Sequence, residues 1–180
     1  MALWLLTAYL IISYLKWRYD GEGPMRSQLI GYHKAVGFSV LIPLVIRVYW
    51  RVSNPVPKLF DNTPSWHVRV SRLSHFLLYF FILAMPISGY MGNGSGVNYG
   101  IFQVKPFMDT SIANWIYNAF GITYEQLEIP FDIFHYGIAG PFIIWVLVLL
   151  HVIAAIYHHT MLKDNVLKRM LPSKSEGRLK

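Results

Sequence analysis

Long runs of apolar residues constrain this chain more than any other feature, because a soluble core rarely accommodates several of them in succession. Four such runs cover about residues 2–17, 29–50, 70–91 and 131–157. A helix that spans the hydrocarbon core of a bilayer needs about 20 mostly apolar residues. The last three runs have that length, whereas the first is short. The pattern predicts an all-α membrane protein, a four-transmembrane-helix bundle that forms one domain over residues 1–180.

The charged residues are few and mostly basic. Only 14% of the residues are charged, whereas a typical soluble domain has about 25%, and the mean hydropathy is +0.38. Lys and Arg outnumber Asp and Glu by 16 to 9. In such an apolar chain, a net charge of +7 indicates cytoplasmic loops beside a membrane and membrane lipid as a partner. Nucleic acid is not expected as a partner.

The positions of the basic residues predict the orientation, because short cytoplasmic loops carry an excess of Lys and Arg. The loop between the second and third runs and the C-terminal tail are basic, whereas the long loop from Gly92 to about Ile129 is acidic. Both termini are therefore expected in the cytoplasm, and the long loop is expected on the outer side. The aromatic segment around Trp115 is predicted to lie on the membrane surface as a short helix.

The absence of cysteine limits the cofactors that the chain could hold. Without cysteine there are no disulfides, iron–sulfur clusters, thiolate zinc sites or covalently attached c-type haem. Seven histidines remain as candidate metal ligands. An ionisable residue inside a transmembrane segment indicates a functional site by default.

Three of these histidines lie at two depths in the predicted bundle. His33 falls in the first, outer turn of helix two and His135 in the outer turn of helix four, so they share a depth. His151 follows His135 by 16 residues, which places it about 24 Å deeper along a regular helix. Two imidazoles that face each other across a bundle are natural axial ligands of haem, so the pattern favours two metal centres. The alternative is that these rings bond to carbonyl groups within the bundle.

Further residues are candidate cofactor contacts near these centres. His75 lies at the inner end of helix three, and His158, seven residues after His151, lies on nearly the same helix face. Arg47 and Arg72 could pair with haem propionates, and the alternative is pairing with anionic lipid. Small residues beside the outer histidines leave room for a flat macrocycle or serve close helix packing. They are Gly31, Gly37, Gly137 and Gly140.

The two remaining histidines, His67 and His159, are expected to be ordinary residues at the wet boundary of the membrane.

Three motifs give the chain a resemblance to a known family. They are GYHKAVG at Gly31–Gly37 running into VIRVYWR, RLSHFLLYFFILAMPISGYM at Arg72–Met91, and LLHVIAAIYHHTMLKDNVLKRM at Leu149–Met170. Over nearly its whole length the chain resembles the bacterial cytochrome b561 family of dihaem membrane cytochromes. The resemblance implies two non-covalent b haems in the bacterial inner membrane, with His33, His135 and His151 among their ligands. It also places His75 and the pair His158 and His159 near the inner end of the bundle.

The resemblance implies a membrane electron carrier. Single electrons would pass between an outer-side donor, with superoxide or a redox partner protein as candidates, and ubiquinone or another membrane quinone. The alternative is a haem-bearing anchor subunit of a larger dehydrogenase or hydrogenase. Whether the chain is itself an oxidoreductase enzyme stays open. A third hypothesis, a haem-free transporter or structural bundle, lacks the repeat halves and paired broken helices that transporters show.

Two departures from the family pattern lead to further expectations. The family begins helix one with a His-Trp pair that supplies a haem ligand, whereas this sequence opens with MALWLLTAYL. The expectation is that helix one lacks an N-terminal turn or two that would carry this pair. Otherwise His151 has another partner, and His75 is nearest in depth.

The second departure is the spacing of 16 residues between His135 and His151. In a regular helix about 14 residues, the spacing typical of the family, return close to one face, whereas sixteen place two side chains about 160° apart. Pro141 lies between the two histidines and can open the hydrogen-bond ladder. Local i→i+5 turns are the hypothesis that accommodates the surplus residues.

Overall fold

The computed structural model describes residues 2–18, 23–54 and 65–161, and these are mostly helical. The helices are α1 (Ala2–Arg18), α2 (Pro24–Ser39), α3 (Leu41–Ser53), α4 (Ser65–Met91), α5 (Ser111–Phe120), α6 (Tyr124–Asp132) and α7 (Ile144–Thr160). A π segment, Ile133–Ile143, joins α6 to α7. The strands β1 (Val97–Asn98) and β2 (Gln103–Val104) form a short antiparallel hairpin, so the prediction of an all-α chain missed one small hairpin.

Three helical stretches in the described residues are long and apolar enough to span a membrane. They are Pro24–Ser53, Ser65–Met91 and Tyr124–Thr160, which correspond to the predicted spans 29–50, 70–91 and 131–157. Helix α1 contains a shorter apolar stretch, Trp4–Leu15. The fourth span and the cytoplasmic placement of both termini therefore stay predictions, and the basic tail lies outside the described residues, as does much of the second loop.

The first of these stretches is interrupted at Val40, which is fully buried. Pro43 has no N–H to donate to the carbonyl of Ser39, so one helical hydrogen bond is missing there. The Oγ of Ser39 donates to the carbonyl of Ala35 at 2.7 Å, a bond that often bends helices. Because the stretch begins at Pro24, His33 lies in its third turn, and the prediction that it lies in the first turn is wrong.

The predicted outer loop is ordered by helix caps and one close backbone approach. Thr110 caps α5 by accepting a hydrogen bond from the amide of Ala113 at 3.2 Å. At Gly96 an added Cβ would collide with the carbonyl of Val104, so the close approach of the two backbone segments requires a glycine there. The predicted short helix around Trp115 is present as α5, which exposes Ile112, Trp115 and Phe120, and its position on the membrane surface stays a prediction.

One tyrosine of α5 turns its hydroxyl inward. Burial raises the pKa of Tyr117, and the negative charges of Glu125 and Asp109 add to the effect. The hydroxyl oxygen has no hydrogen-bond partner among the described residues. The phenol therefore stays neutral at physiological pH.

The π segment explains how the 16-residue spacing is accommodated. An i→i+5 turn contains more residues than an α-helical turn, so each residue rotates by less than 100° and the surplus residues are absorbed. Two contacts show the result: His135 bonds to the carbonyl of Met85, and the ring of His151 lies against that of His75. Both partners belong to α4, so both histidines face the same helix. The hypothesis of i→i+5 turns around Pro141 is confirmed.

The π geometry depends on a glycine. An added Cβ at Gly140 would lie 2.5 Å from the carbonyl oxygen of His135, because the wide turn brings that oxygen toward the glycine. The expectation that Gly140 leaves room for a macrocycle is therefore wrong, since its position is filled by backbone. At Gly31, Gly37 and Gly137 an added Cβ meets nothing within 4 Å.

We expect Gly140→Ala to destabilise the π segment by about 1–3 kcal/mol, the usual cost of overpacking. The measurement is thermal unfolding in detergent, in which the melting temperature should fall. Gly137→Ala is the matched control, because it adds the same methyl group to the same segment in open space. Equal melting temperatures for the two variants would contradict the assigned role of Gly140.

Candidate metal centres between the helices

Two histidines meet near the predicted outer side of the bundle. His33 on α2 and His135 in the π segment have ring centres 6.3 Å apart and ring planes at 81°. Both side chains are partly buried. We call them the outer pair.

Backbone carbonyls fix the protonation of both rings in the outer pair. The Nδ1 of His33 bonds to the carbonyl of Ala8 at 2.8 Å, and the Nδ1 of His135 bonds to the carbonyl of Met85 at 3.0 Å. A carbonyl oxygen can only accept, so each Nδ1 must carry the proton. Each Nε2 is therefore left with a free lone pair, which is the form of imidazole that binds a metal.

Small residues make both anchoring bonds possible. Helix α1 packs against α2, and the buried Ala8 allows the ring of His33 to approach its carbonyl. On α4, Gly89 allows the ring of His135 to lie against the helix, because an added Cβ would be 2.7 Å from Cε1 of that ring. Helix α1 thus supports the outer pair through its backbone.

A second pair lies deeper, between α4 and α7. The ring centres of His75 and His151 are 5.7 Å apart, with ring planes at 71°. We call them the inner pair. The Nδ1 of His75 has only a long contact of 3.5 Å to the Oγ of Ser71, and a hydroxyl can donate or accept. The inner pair is therefore less firmly oriented than the outer pair.

The two predicted arginine contacts differ in their surroundings. The Nε of Arg47 donates to the hydroxyl of Tyr79 at 3.2 Å. Tyr79 lies one helical turn after His75 on α4, so this hydrogen bond places Arg47 near the inner pair. Arg72 is exposed and makes no hydrogen bond or ion pair with another described residue.

A third pair was missed by sequence reasoning. His67 and His158 have ring centres 6.1 Å apart. The rings of Trp66 and His67 have centres 3.8 Å apart, with their planes tilted by 38°. We call His67 and His158 the rim pair. The expectation that His67 is an ordinary boundary residue did not foresee this contact. The sequence contained a signal for this contact. His67 precedes His75 by eight residues on α4, and His158 follows His151 by seven residues on the antiparallel α7. Each of these separations is about two helical turns.

These pairs suit a metal whose remaining ligands do not come from the protein. A bare metal ion is usually held by three or more protein ligands, and no cluster of three or more His, Cys, Asp or Glu exists in the described part of the chain. A haem iron takes four nitrogens from its macrocycle and needs only axial ligands. Two imidazole nitrogens that bind one metal from opposite sides are about 4 Å apart, and the centres of their rings are farther apart. The distance of 6.3 Å between the ring centres of His33 and His135 fits such a pair.

Comparison with known proteins decides the identity of the metal group. A family model described as prokaryotic cytochrome b561 matches residues 1–173. The chain belongs to the prokaryotic cytochrome b561 family. This family binds haem b. The cytochrome functions in electron transfer as an oxidoreductase. Its family and its long apolar helices make it a multi-pass bacterial membrane protein. The resemblance found in the sequence motifs is thereby confirmed.

Individual relatives cover nearly the whole cytochrome. It is 30% identical to "Cytochrome b561 homolog 2" of Escherichia coli over 97% of this chain and 81% of that protein. It is 25% identical to "Probable superoxide oxidase CybB" of Yersinia pestis over 95% of this chain and 92% of that protein. A second Escherichia coli relative, "Cytochrome b561 homolog 1", is 24% identical over 94% of this chain.

Proposed function

We propose that this cytochrome holds two b haems and moves single electrons between an outer-side donor and the quinone pool of the bacterial inner membrane. A b haem with two histidine ligands exchanges one electron at a time and has no open position for oxygen. The observation that carries the proposal is the outer pair. Both of its rings have Nδ1 committed to a carbonyl and Nε2 free.

His33 and His135 are the proposed ligands of the outer haem. Their anchoring carbonyls hold the rings in the binding tautomer before any metal arrives, which reduces the entropy lost on binding. At Gly37, one helical turn after His33 on the same face of α2, an added Cβ meets nothing within 4 Å, which supports room for a macrocycle there.

His151 is the proposed ligand of the inner haem. Among the described residues, His75 is the imidazole whose ring lies against it. Arg47, near the inner pair, is the proposed partner of a haem propionate, and its hydrogen bond to Tyr79 would orient the guanidinium. Arg72, exposed in the third turn of α4, is better placed for an anionic lipid headgroup.

The quinone is proposed to bind at the predicted cytoplasmic end, beside the rim pair. Reduction of a quinone to a quinol takes up two electrons and two protons. Imidazoles can supply protons near neutral pH, and His75 and His158 are the proposed donors. The exposed indole of Trp66, which lies beside His67, offers a flat apolar surface to the quinone ring.

Superoxide is the proposed donor, because it is an anion that gives up one electron. Lys34 follows His33 directly, and its Nζ is held by the Oγ of Ser95 at 2.6 Å. A fixed ammonium group beside the outer pair would attract an anion. The Yersinia pestis relative carries superoxide oxidase in its name, which supports this choice. The balanced reaction converts two superoxide ions, one quinone and two protons into two oxygen molecules and one quinol.

The test is stopped-flow spectroscopy of the purified cytochrome in proteoliposomes. Superoxide should reduce the haem, and added ubiquinone-1 should reoxidise it. Lys34→Gln should slow reduction several-fold at low salt and weaken its salt dependence. Arg72→Gln is the matched control, because it removes one charge at the opposite end of the bundle. No reduction by superoxide, together with co-purification of a dehydrogenase or hydrogenase subunit, would replace this proposal with the anchor-subunit function.

A further inference from the structure

We propose that Ser88 is a positioning residue that, together with the carbonyl of Met85, holds His135 in its ligand tautomer and orientation. The inference rests on the proposed haem at the outer pair. It assigns a role to a side chain that makes no contact with the metal itself. His33 lacks an equivalent hydroxyl, since its only anchor among the described residues is the carbonyl of Ala8.

Ser88 is a polar residue at a buried position of α4. Its side chain is 3% exposed, and a buried hydroxyl without partners costs free energy. Its Oγ lies 3.0 Å from the carbonyl oxygen of Met85 and 3.2 Å from the Nδ1 of His135. Since that Nδ1 is also 3.0 Å from the same carbonyl, the three atoms form a closed triangle.

The triangle has one consistent arrangement of protons. The carbonyl of Met85 can only accept, so the hydroxyl of Ser88 donates to it and the Nδ1–H of His135 donates to the pair of oxygens. If the proton moved to Nε2, the lone pairs of Nδ1 and the carbonyl would face each other at 3.0 Å. The hydroxyl could then satisfy only one of them. The triangle therefore stabilises the tautomer in which Nε2 is free.

The backbone beside Ser88 fixes the plane of the ring as well. An added Cβ at Gly89 would lie 2.7 Å from Cε1 and 3.1 Å from Nδ1 of His135, so the ring rests on the helix surface. Met85, Ser88 and Gly89 all belong to α4, so these contacts hold one side of the ring against that helix and limit its rotation. Outer partners of this kind typically contribute a factor of about 10–100 to metal affinity.

The experiment compares Ser88→Ala with Ser39→Ala in the haem-loaded cytochrome. Ser39 is a matched control, because its Oγ also bonds to a backbone carbonyl, at 2.7 Å, and to a ring substituent, the hydroxyl of Tyr99, at 3.2 Å. Haem transfer to apomyoglobin should be about 10-fold faster for Ser88→Ala and unchanged for Ser39→Ala. The reduction potential of the outer haem should rise in Ser88→Ala, because the imidazole becomes a weaker electron donor.

A third readout needs no haem. In the apo chain labelled with ¹⁵N-histidine, the Nδ1–H tautomer of His135 should predominate, and its share should fall in Ser88→Ala. Ser88→Cys is the second variant. It preserves volume but is a weaker hydrogen-bonding group, so its haem transfer rate should fall between those of the parent and Ser88→Ala.

The readouts separate the failure of this inference from the failure of the proposed function. If the parent binds haem, and Ser88→Ala and Ser88→Cys keep its transfer rate, potential and tautomer, the role of Ser88 is overturned. If the parent binds no haem but the tautomer still shifts in Ser88→Ala, the anchoring role stands and the haem proposal fails. If Ser88→Ala does not fold, the transfer rate of Ser88→Cys decides, and a rate equal to that of the parent overturns the inference.

Discussion

Replacing His135 by alanine is expected to remove the outer haem and to leave the inner haem in place. The haem content should fall from two to one per chain, because the macrocycle would keep one axial ligand, His33, and lose the other. His33→Ala should have the same effect. The loss should exceed the effect of Ser88→Ala, since a direct ligand is removed rather than a residue that positions it.

The measurement is haem content per chain by pyridine haemochrome together with the electron paramagnetic resonance spectrum of the ferric protein. His159→Ala is the matched control, because it removes an exposed imidazole from α7 that belongs to none of the three pairs. We expect it to keep the parent's haem content. A His135→Ala variant that keeps two low-spin haems would show that His135 is not a ligand.

The second large effect is expected from His151→Ala. This variant should lose the inner haem and with it the reduction of quinone, while a donor on the outer side still reduces the remaining haem. Quinone reduction should be lost because His151 lies between the outer pair and the rim pair along the bundle. Stopped-flow reduction by superoxide followed by ubiquinone-1 separates the two half-reactions.

His75→Ala distinguishes between two roles of His75, a ligand of the inner haem or a proton donor to the quinone. If His75 ligates the inner haem, its removal should resemble His151→Ala in haem content. If it supplies protons instead, both haems should remain and quinone reduction should slow most at high pH. A His151→Ala variant with unchanged haem content and unchanged quinone reduction would contradict the proposed inner haem.

Three of the four predicted spans could be predicted because they follow from a strong sequence signal. Apolar runs of spanning length predict helices whatever their neighbours are. The π segment was also accessible, because a spacing of 16 residues cannot place His135 and His151 on one face of a regular helix, and Pro141 marks where the ladder opens. The hairpin was not foreseen, since two-residue strands leave almost no pattern in a sequence.

The anchors of the outer pair could not be predicted, for a physical reason. Ala8 and Met85 act through carbonyl groups, which every residue possesses, so their side chains carry no signal. Ser88 and Gly89 look like ordinary small residues for helix packing until the ring of His135 is placed against them. Sequence reasoning therefore found the candidate ligands and missed the groups that orient them.

The most direct test of this account is the electron paramagnetic resonance spectrum of the purified ferric chain, quantified against its haem content. The account predicts two haems per chain, with the signal of the outer haem that of a low-spin iron between two imidazoles, absent from both His33→Ala and His135→Ala. A chain that folds in the presence of haem but binds none would contradict it. So would an outer haem that is high-spin in the parent.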